Sequence, residues 1–402
     1  MITSKKSRHE HIISINSRVL RNINRSVVLN CIRVRQPIAR FEIARITKLN
    51  KSTVSSIVGS LVQEGLIAEA PTRNAAVGRN PINLSLRTGK NLLGAISFDS
   101  ALTRVAIFDI DGTLCHTADV TTQETAPAAM VARCVNELNA MKKAHHLGQL
   151  KGIGITVAGI VDSAHGRVVY APNLGWKDVD LLDLMPGGTN VFVENDAKAS
   201  ALAELWFGRH DIHHSNFVFL AVGRGLGSGI VVDNKVLNGI SCFAGEFGHT
   251  TLIEGGQPCA CGNLGCWEAY ASDRATVRRF LKAKGMNCAA DTTITMADII
   301  AAEESGDRIA QEALLRTGQY LGQGIANIIK AVDPDAIIVG GEITRAWDLV
   351  AQQIQQEVKS RGFFGQYGDT SILPTSLTGY PALVGAASLC IRKFFMDVRV
   401  TI

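Results

Sequence analysis

The sequence predicts a protein of the α/β class in which a small helical module precedes a larger body of strands and helices. Apolar residues recur at helical spacing from Arg25 to about Ala70, and from Leu92 onward they form strands that alternate with helices. A Gly-rich stretch in the second half of the chain also concentrates cysteines. We therefore expect one domain over residues 1–88 and a second over residues 89–402.

The composition is that of a globular protein. At 402 residues the chain is too long for one typical domain, and 46% of its residues are hydrophobic while 19% are charged. Since no apolar run is long enough to span a bilayer, and no apolar segment with a cleavage site follows the basic N-terminus, we expect neither membrane insertion nor secretion. The odd count of 9 cysteines favours a reducing compartment, and the predicted location is cytoplasmic.

The positive charge is concentrated at the N-terminus. The whole chain carries a net +5, yet residues 1–51 hold twelve Lys or Arg against two Glu. A basic module on a mildly acidic body is the charge pattern expected of nucleic-acid binding. A basic arm that serves solubility or binds an acidic partner is the alternative.

The residue pattern of the N-terminal module predicts a winged helix-turn-helix. Pro37 separates the first helix from the second, and Asn50 or Ser52 can cap a third helix that begins near Lys51. Short strands at 66–68 and 82–86 would form a β-hairpin wing. The residues predicted to contact DNA are Arg40, Lys51, Ser52, Thr53, Ser55, Ser56 and, in the wing, Arg79. A three-helix interaction module that touches no DNA is the alternative.

The body predicts two similar units that face each other across a cleft. Strands are expected at 92–98, 104–109, 114–120, 150–157, 190–194, 217–222, 229–232 and 336–339. Helices are expected at 127–145, 197–207, 267–284, 296–304, 308–332 and 382–395. This order corresponds to two βββαβα units.

The loop over residues 245–268 predicts a structural zinc site. Cys259, Cys261 and Cys266 fall within eight residues, and His249 precedes them by ten. Three thiolates and one imidazole suit tetrahedral Zn²⁺ with all four positions filled by protein. The alternative is three buried thiols and an unrelated histidine.

Two carboxylates, Glu246 and Glu268, bracket this zinc loop. Carboxylates held beside a metal-fixed imidazole are good hydrogen-bond acceptors for a polyhydroxylated ligand. The alternative is that both are solvated loop acids.

Four strings of the body resemble a known family. They are VENDAKASALAELWFG from Val193, GRGLGSGIVV from Gly223, AGEFGH from Ala244 and CACGNLGCWE from Cys259. In this order, behind a winged helix, they resemble the ROK (repressor, open reading frame, kinase) family of bacterial sugar kinases and sugar-responsive transcription factors. The resemblance implies a two-lobed, actin-like (ribonuclease-H-like) ATPase-type fold from Asn91 onward, and a homodimer or homotetramer.

The resemblance also assigns roles to residues. It implies that a sugar is bound by Gly159, Asn195, Asp196, Glu246, His249 and Glu268, with Gly159 acting through its backbone. In kinase members the residue equivalent to Asp196 is the catalytic base, and His249 would bind zinc through its other ring nitrogen. Ala158 replaces the proline that usually precedes the glycine.

The sequence departs from the kinase pattern in its phosphate-binding turns. Kinase members carry Asp-x-Gly-Gly-Thr after the first strand, whereas residues 99–103 here read DSALT and lack both glycines. Arg224 replaces the usual polar residue in the second turn, although Gly340 and Gly341 are retained. A damaged phosphate cradle beside an intact sugar site predicts binding without turnover, so we assign no catalytic residue.

The predicted function is that of a sugar-responsive transcriptional regulator. We expect it to repress carbohydrate-uptake or catabolic genes from a double-stranded DNA operator and to be released by a sugar or sugar phosphate. The alternatives are an active ATP-dependent sugar kinase with an appended DNA-binding head, and a regulator controlled by a phosphotransferase-system protein.

Overall fold

The fold is described from a computed structural model of the chain. The structure describes residues 17–71, 82–99, 102–121, 126–210, 214–286, 293–362 and 369–395. The chain divides into two compact units, one formed by residues 1–91, 109–113 and 391–402, and the other by residues 92–108 and 114–390. In the described residues no helix is both long and apolar enough to cross a membrane.

The first unit contains three helices and a small antiparallel sheet. The helices are α1 (Ser17–Arg35), α2 (Arg40–Thr47) and α3 (Lys51–Gln63). The strands β1 (Ile38–Ala39), β2 (Ile67–Pro71) and β3 (Ile82–Leu86) pair in the order β1-β3-β2. The helices meet through fully buried apolar side chains, among them Leu29, Ile32, Ile43, Val58 and Leu61. The strands and helices expected here are present, and the turn predicted at Gly78-Arg79 lies outside the described residues.

Helix α3 exposes one polar face. It follows Asn50, whose extended backbone makes it the N-cap residue, although its side chain makes no capping hydrogen bond. Val54, Ile57, Val58 and Leu61 are buried at helical spacing. The opposite face therefore presents Lys51, Ser52, Ser55 and Ser56 to solvent, with Thr53 half-buried.

The end of the last helix, α12 (Pro381–Phe395), completes the core of the first unit. Phe395 is fully buried, and the Arg33 guanidinium lies 5.8 Å from the centre of its ring. Arg25 donates a hydrogen bond of 3.3 Å to the backbone carbonyl of Phe394.

The second unit is built on two five-stranded sheets. The first contains β4 (Leu92–Phe98), β5 (Leu102–Asp109), β6 (Leu114–Thr121), β7 (Ile153–Val157) and β11 (Val191–Asn195). The second contains β12 (Phe217–Val222), β13 (Leu226–Val232), β14 (Lys235–Val236), β15 (Ala336–Gly340) and β16 (Ser371–Pro374). The strand order of the first sheet is β11-β7-β4-β5-β6, and that of the second is β14-β13-β12-β15-β16. When the second sheet is read from β16 to β14, each of its strands takes the place of the corresponding strand in the first. The expected duplication of the body is therefore present.

A third, antiparallel sheet was not predicted. Strands β8 (Ile160–Asp162), β9 (Arg167–Ala171) and β10 (Trp176–Asp180) pair in the order β10-β9-β8, and α5 (Leu181–Leu184) follows them. Leu174 and Trp176 are buried against the core of the first five-stranded sheet.

Helices cover the two large sheets. They are α4 (Pro127–Ala144), α6 (Asp196–Phe207), α7 (Glu268–Ala271), α8 (Asp273–Ala283), α9 (Met296–Glu304), α10 (Arg308–Val332) and α11 (Trp347–Ser360). Helix α6 contacts β7 and β11 of one sheet and β12 and β13 of the other. The single helix predicted over 267–284 is wrong, because Ser272 adopts an extended backbone and accepts a hydrogen bond of 3.3 Å from Ala275 N as the N-cap of α8. Helix α11 was also missed.

Candidate functional site

A histidine and three cysteines converge in the loop after β14. His249, Cys259, Cys261 and Cys266 each offer one ligand atom, and these four atoms lie within 4.8 Å of one another. Cys259 Sγ is 3.6 Å from His249 Nδ1, and Cys261 Sγ is 3.6 Å from Cys266 Sγ. Among the described residues, no other group of three or more His, Cys, Asp or Glu side chains is close enough to share a metal ion.

This loop is fixed by its own backbone and by the helices behind it. Gly265 adopts φ +78°, and a Cβ atom there would collide with the carbonyl of Ile253, so the turn requires glycine. The fully buried Trp267 donates from Nε1 to the Tyr320 carbonyl at 2.7 Å. The hydroxyl of Tyr270 accepts a hydrogen bond of 2.7 Å from Gln257 N. The four candidate metal-ligand side chains therefore lie on a well-supported loop.

His249 faces two ways. Its Nδ1 atom points toward Cys259, while its Nε2 atom lies 3.9 Å from Glu246 Oε2. Burial raises the pKa of Glu246, Glu268 raises it further, and His249 and Lys198 lower it. If a cation binds at Nδ1, Nε2 keeps its proton and can donate it to a ligand beside Glu246.

Glu268 connects the loop over residues 245–268, here called the cysteine loop, to the glycine turn after β12. Its Oε2 atom accepts a hydrogen bond of 2.8 Å from Leu226 N, and its Oε1 atom lies 3.7 Å from Cys259 Sγ. Glu268 is therefore held in place by the turn on one side and by the cysteine loop on the other.

Asn195 and Asp196 stand where β11 passes into α6. Asn195 Oδ1 accepts a hydrogen bond of 3.0 Å from Lys198 N and caps the helix, while Asn195 Nδ2 donates to the Gly159 carbonyl at 2.9 Å. A Cβ atom at Gly159 would lie 2.5 Å from the Tyr170 carbonyl oxygen. Gly159 must therefore lack a side chain for its backbone to reach Asn195.

Asp196 is an acid that titrates near neutrality. Burial raises its pKa to about 7, and the carboxylates of Asp99 and Glu246 add to the shift. Its Oδ1 atom accepts a hydrogen bond of 2.9 Å from Ala197 N. A carboxyl group of this kind can accept a proton or a hydrogen bond from a ligand hydroxyl at neutral pH.

Lys198 is a residue of this region that the sequence analysis missed. It is only 2% exposed, and its Nζ atom donates to the carbonyls of Cys242 at 2.8 Å and Asn238 at 3.4 Å. Its ammonium group lowers the pKa of Glu246 and so favours the carboxylate form. The sequence signal that could have identified it is a single lysine among the small, mostly apolar residues that follow Asp196.

The residues predicted to contact DNA differ in their solvent exposure and in their ion pairs. Lys51, Ser52, Ser55 and Ser56 are exposed on α3. Arg40 instead forms an ion pair with Glu69, and its Nε atom is buried without a hydrogen-bond partner among the described residues. Arg79 lies outside the described residues.

The two matched sheets, with helix α6 contacting both, define the body as an actin-like fold of the sugar-kinase type. The ROK family model matches residues 94–393. The chain therefore belongs to the ROK family, as the four sequence strings predicted.

Similarity to individual proteins divides into full-length and partial matches. The chain is 32% identical over 389 residues to a xylose repressor of Bacillus spizizenii, covering 94% of this chain and 98% of the repressor. It resembles the crystal structure of a ROK transcriptional regulator, a homologue of the E. coli MLC protein, with a TM-score of 0.80, 27% identity and coverage of 94% and 98%. A ROK glucokinase of Streptomyces griseus with glucose and AMPPNP gives a TM-score of 0.63 and 30% identity, covering 74% of this chain and 99% of the kinase.

Proposed function

We propose that this protein is a sugar-responsive, DNA-binding transcriptional repressor of carbohydrate-uptake or catabolic genes. The observation that carries the proposal is the extent of the similarity. A xylose repressor and a ROK regulator match 94% of the chain, whereas a glucokinase matches 74%. Residues 1–93, which precede the family model, hold the basic helical head that a kinase does not need.

We infer that the head is a winged helix-turn-helix domain that reads an operator through α3. The exposed row of Lys51, Ser52, Ser55 and Ser56 has the size and polarity to contact phosphates and base edges in a major groove. Thr53 remains a proposed contact, as does Arg79, which lies outside the described residues. Arg40 is a weaker candidate, because binding DNA through its guanidinium requires giving up the ion pair with Glu69. A palindromic operator and a homodimer, or a homotetramer, fit this class of reader.

We infer that the effector is a sugar or sugar phosphate bound by Gly159, Asn195, Asp196, Glu246, His249 and Glu268. The support is chemical: carboxylate, amide and imidazole groups of these residues are linked by short contacts, and this is the donor and acceptor set that sugar hydroxyls require. Differential affinity of the effector for one conformation would couple the site to DNA binding.

We propose that the cysteine loop binds structural Zn²⁺. In a tetrahedral site with Zn–S near 2.3 Å and Zn–N near 2.0 Å, neighbouring sulfurs lie about 3.8 Å apart and nitrogen and sulfur about 3.5 Å apart. The sulfur pair and the nitrogen–sulfur pair, both at 3.6 Å, fit these values. Thiolate ligands require a reducing compartment, which supports a cytoplasmic protein.

Fluorescence anisotropy of a labelled promoter fragment tests the repressor proposal. Fragments from upstream of the protein's own gene and its neighbours are titrated with the full-length chain at fixed salt, then with a panel of sugars and sugar phosphates. We expect tight binding that survives competitor DNA and is reversed by one sugar. Weak binding that collapses with salt at every fragment would contradict a specific DNA reader.

A kinase with an appended head is the second candidate, favoured by the near-neutral pKa of Asp196 and by the similarity to glucokinases. Sugar-dependent ADP release that disappears in Asp196→Asn would establish it. Co-purification with a phosphotransferase-system protein, together with indifference to free sugars, would instead identify a protein-controlled regulator.

A further inference from the structure

A partly buried carboxylate, that of Asp273, lies at the glycine turns of the second large sheet. Strands β12 and β15 are parallel neighbours, and the turns that follow them begin at Gly223 and Gly341. Gly341 lies directly against the end of β12, because a Cβ atom there would collide with the carbonyl of Val222, the residue before Gly223. The carboxyl edge of parallel strands, followed by glycine turns with open backbone N–H groups, is where α/β proteins commonly bind phosphates.

Asp273 stands against both turns. As the first residue of α8, it donates its backbone N–H to the Gly223 carbonyl at 2.8 Å. Its carboxylate also interacts unfavourably with Glu342, which directly follows Gly341. One carboxylate oxygen, Oδ1, is buried and has no hydrogen-bond partner among the described residues.

The negative charge of Asp273 lies where an anion would otherwise bind. The first turn of a helix of this length, with its free N–H groups and positive end of the dipole, would normally favour a ligand phosphate. Here the chain places its own negative charge in that turn. Burial and Glu342 raise the pKa of Asp273 to about 7, so a substantial fraction of the carboxyl group is charged at neutral pH. Neither Arg224, exposed on the same glycine turn, nor Arg274, the next residue and also exposed, is among the groups that shift this pKa.

We propose that Asp273 is a specificity-determining residue that excludes nucleoside triphosphates from the carboxyl edge of the second sheet. A triphosphate laid on the Gly223 turn would bring its negative oxygens against a half-desolvated carboxylate that has no cation partner among the described residues. The inference rests on the proposed non-catalytic role of the body, because it gives a reason why effector binding is not followed by phosphoryl transfer.

The test measures nucleotide binding to the full-length protein without any sugar or DNA. Isothermal titration calorimetry with MgATP and with adenosine compares the wild type with Asp273→Asn and Asp273→Gly. Asp348→Asn is the matched control, since it removes the same charge from the exposed first turn of α11. Thermal unfolding of each variant verifies that it is folded.

We expect the wild type to bind MgATP weakly or not at all, and both Asp273 variants to bind it at least tenfold more tightly. Adenosine affinity should change less than about twofold, because adenosine carries no phosphate charge. Micromolar binding of MgATP by the wild type would overturn the proposal. So would unchanged MgATP affinity in both variants, or an equal gain for adenosine or in Asp348→Asn. None of these results bears on promoter binding, so failure here is distinct from failure of the repressor proposal.

Discussion

The carboxylates near the cysteine loop (residues 245–268) and the carboxylate at the glycine turns that begin at Gly223 and Gly341 have different neighbours. On the cysteine-loop side, Glu246 lies near His249 and Lys198, and Glu268 accepts a backbone N–H from Leu226. On the glycine-turn side, the Asp273 carboxylate has Glu342 as its electrostatic neighbour and leaves one buried oxygen without a partner among the described residues. Acids with donors nearby are arranged to bind hydroxyl groups, whereas an acid without one repels anions. Under the two proposals, the cysteine-loop side binds a sugar and the glycine-turn side excludes nucleoside triphosphates.

The largest effect should follow from removing a metal ligand. Cys266→Ser should lose bound zinc, lower the melting temperature by about 5–10 °C and abolish the sugar response. The reason is that zinc binding stabilises the cysteine loop. Metal content by mass spectrometry and thermal unfolding measure both effects, and Cys115→Ser, at an exposed cysteine outside the cluster, is the control. One equivalent of zinc retained in Cys266→Ser would disprove the proposed ligand set.

Loss of one carboxylate beside His249 should have the next largest effect. Glu246→Gln should weaken sugar binding by about 10- to 100-fold, as expected for a hydrogen bond to a charged group, and leave DNA affinity unchanged. Calorimetry with the effector and anisotropy with the operator measure the two properties. Glu254→Gln changes an exposed acid of the same loop and should behave as the wild type. An unaltered sugar response in Glu246→Gln would remove Glu246 from the site.

The pH dependence should report Asp196. Its folded-state pKa, about 7, is above the ordinary 3.8, so folding favours the protonated form. The associated stability is fully present below about pH 4 and is lost as pH rises through about 7. Effector affinity should rise over the same upper range, because the carboxylate is the stronger acceptor.

The variant Asp196→Asn provides the check on that pH dependence. It should be more stable than the wild type at pH 8, on the order of 1–3 kcal/mol, and should flatten the pH profile of effector binding. Thermal unfolding and calorimetry from pH 5 to 8 measure both. An unchanged profile in Asp196→Asn would assign the titration to another group.

The smallest effect concerns the head. Lys51→Gln should weaken operator binding evenly across related sequences and reduce the slope of log affinity against log salt by about 0.9, the value for one phosphate contact. Anisotropy at several salt concentrations measures the slope. Lys90→Gln, an exposed lysine of the same unit outside the helices, should leave the slope unchanged. Equal slopes for both variants would place Lys51 away from the DNA.

Much of the fold could be predicted because its elements carry strong periodic patterns. Strands β4, β5 and β6 and helices α4, α6 and α10 were expected within a few residues of their observed bounds. The small β8–β10 sheet was missed because its strands hold only three to five residues and are interrupted by charged positions. The break at Ser272 was missed because the helical spacing of apolar residues continues across it, although serine is a residue type that favours N-caps.

The candidate site was predictable where residue types are unusual for their context. Clustered cysteines and a histidine in a glycine-rich loop point to a metal, and the structure brings all four ligand atoms together. Lys198 was recognisable only as a lysine among small apolar residues, and Asp273 had no signal, because the importance of both depends on burial and on neighbours far apart in sequence. Lys198 acts on a loop some 40 residues away, and Asp273 on a turn set by a strand pairing.

The pairing of Arg25 with the Phe394 carbonyl, 369 positions apart, has a consequence for synthesis. The helices of the head leave the ribosome first, but Phe395, which fills their core, is made long afterwards. At 5–20 residues per second the head waits roughly 20–70 s for its last side chain. The core of the first unit is therefore complete only after the whole of the second unit has been translated.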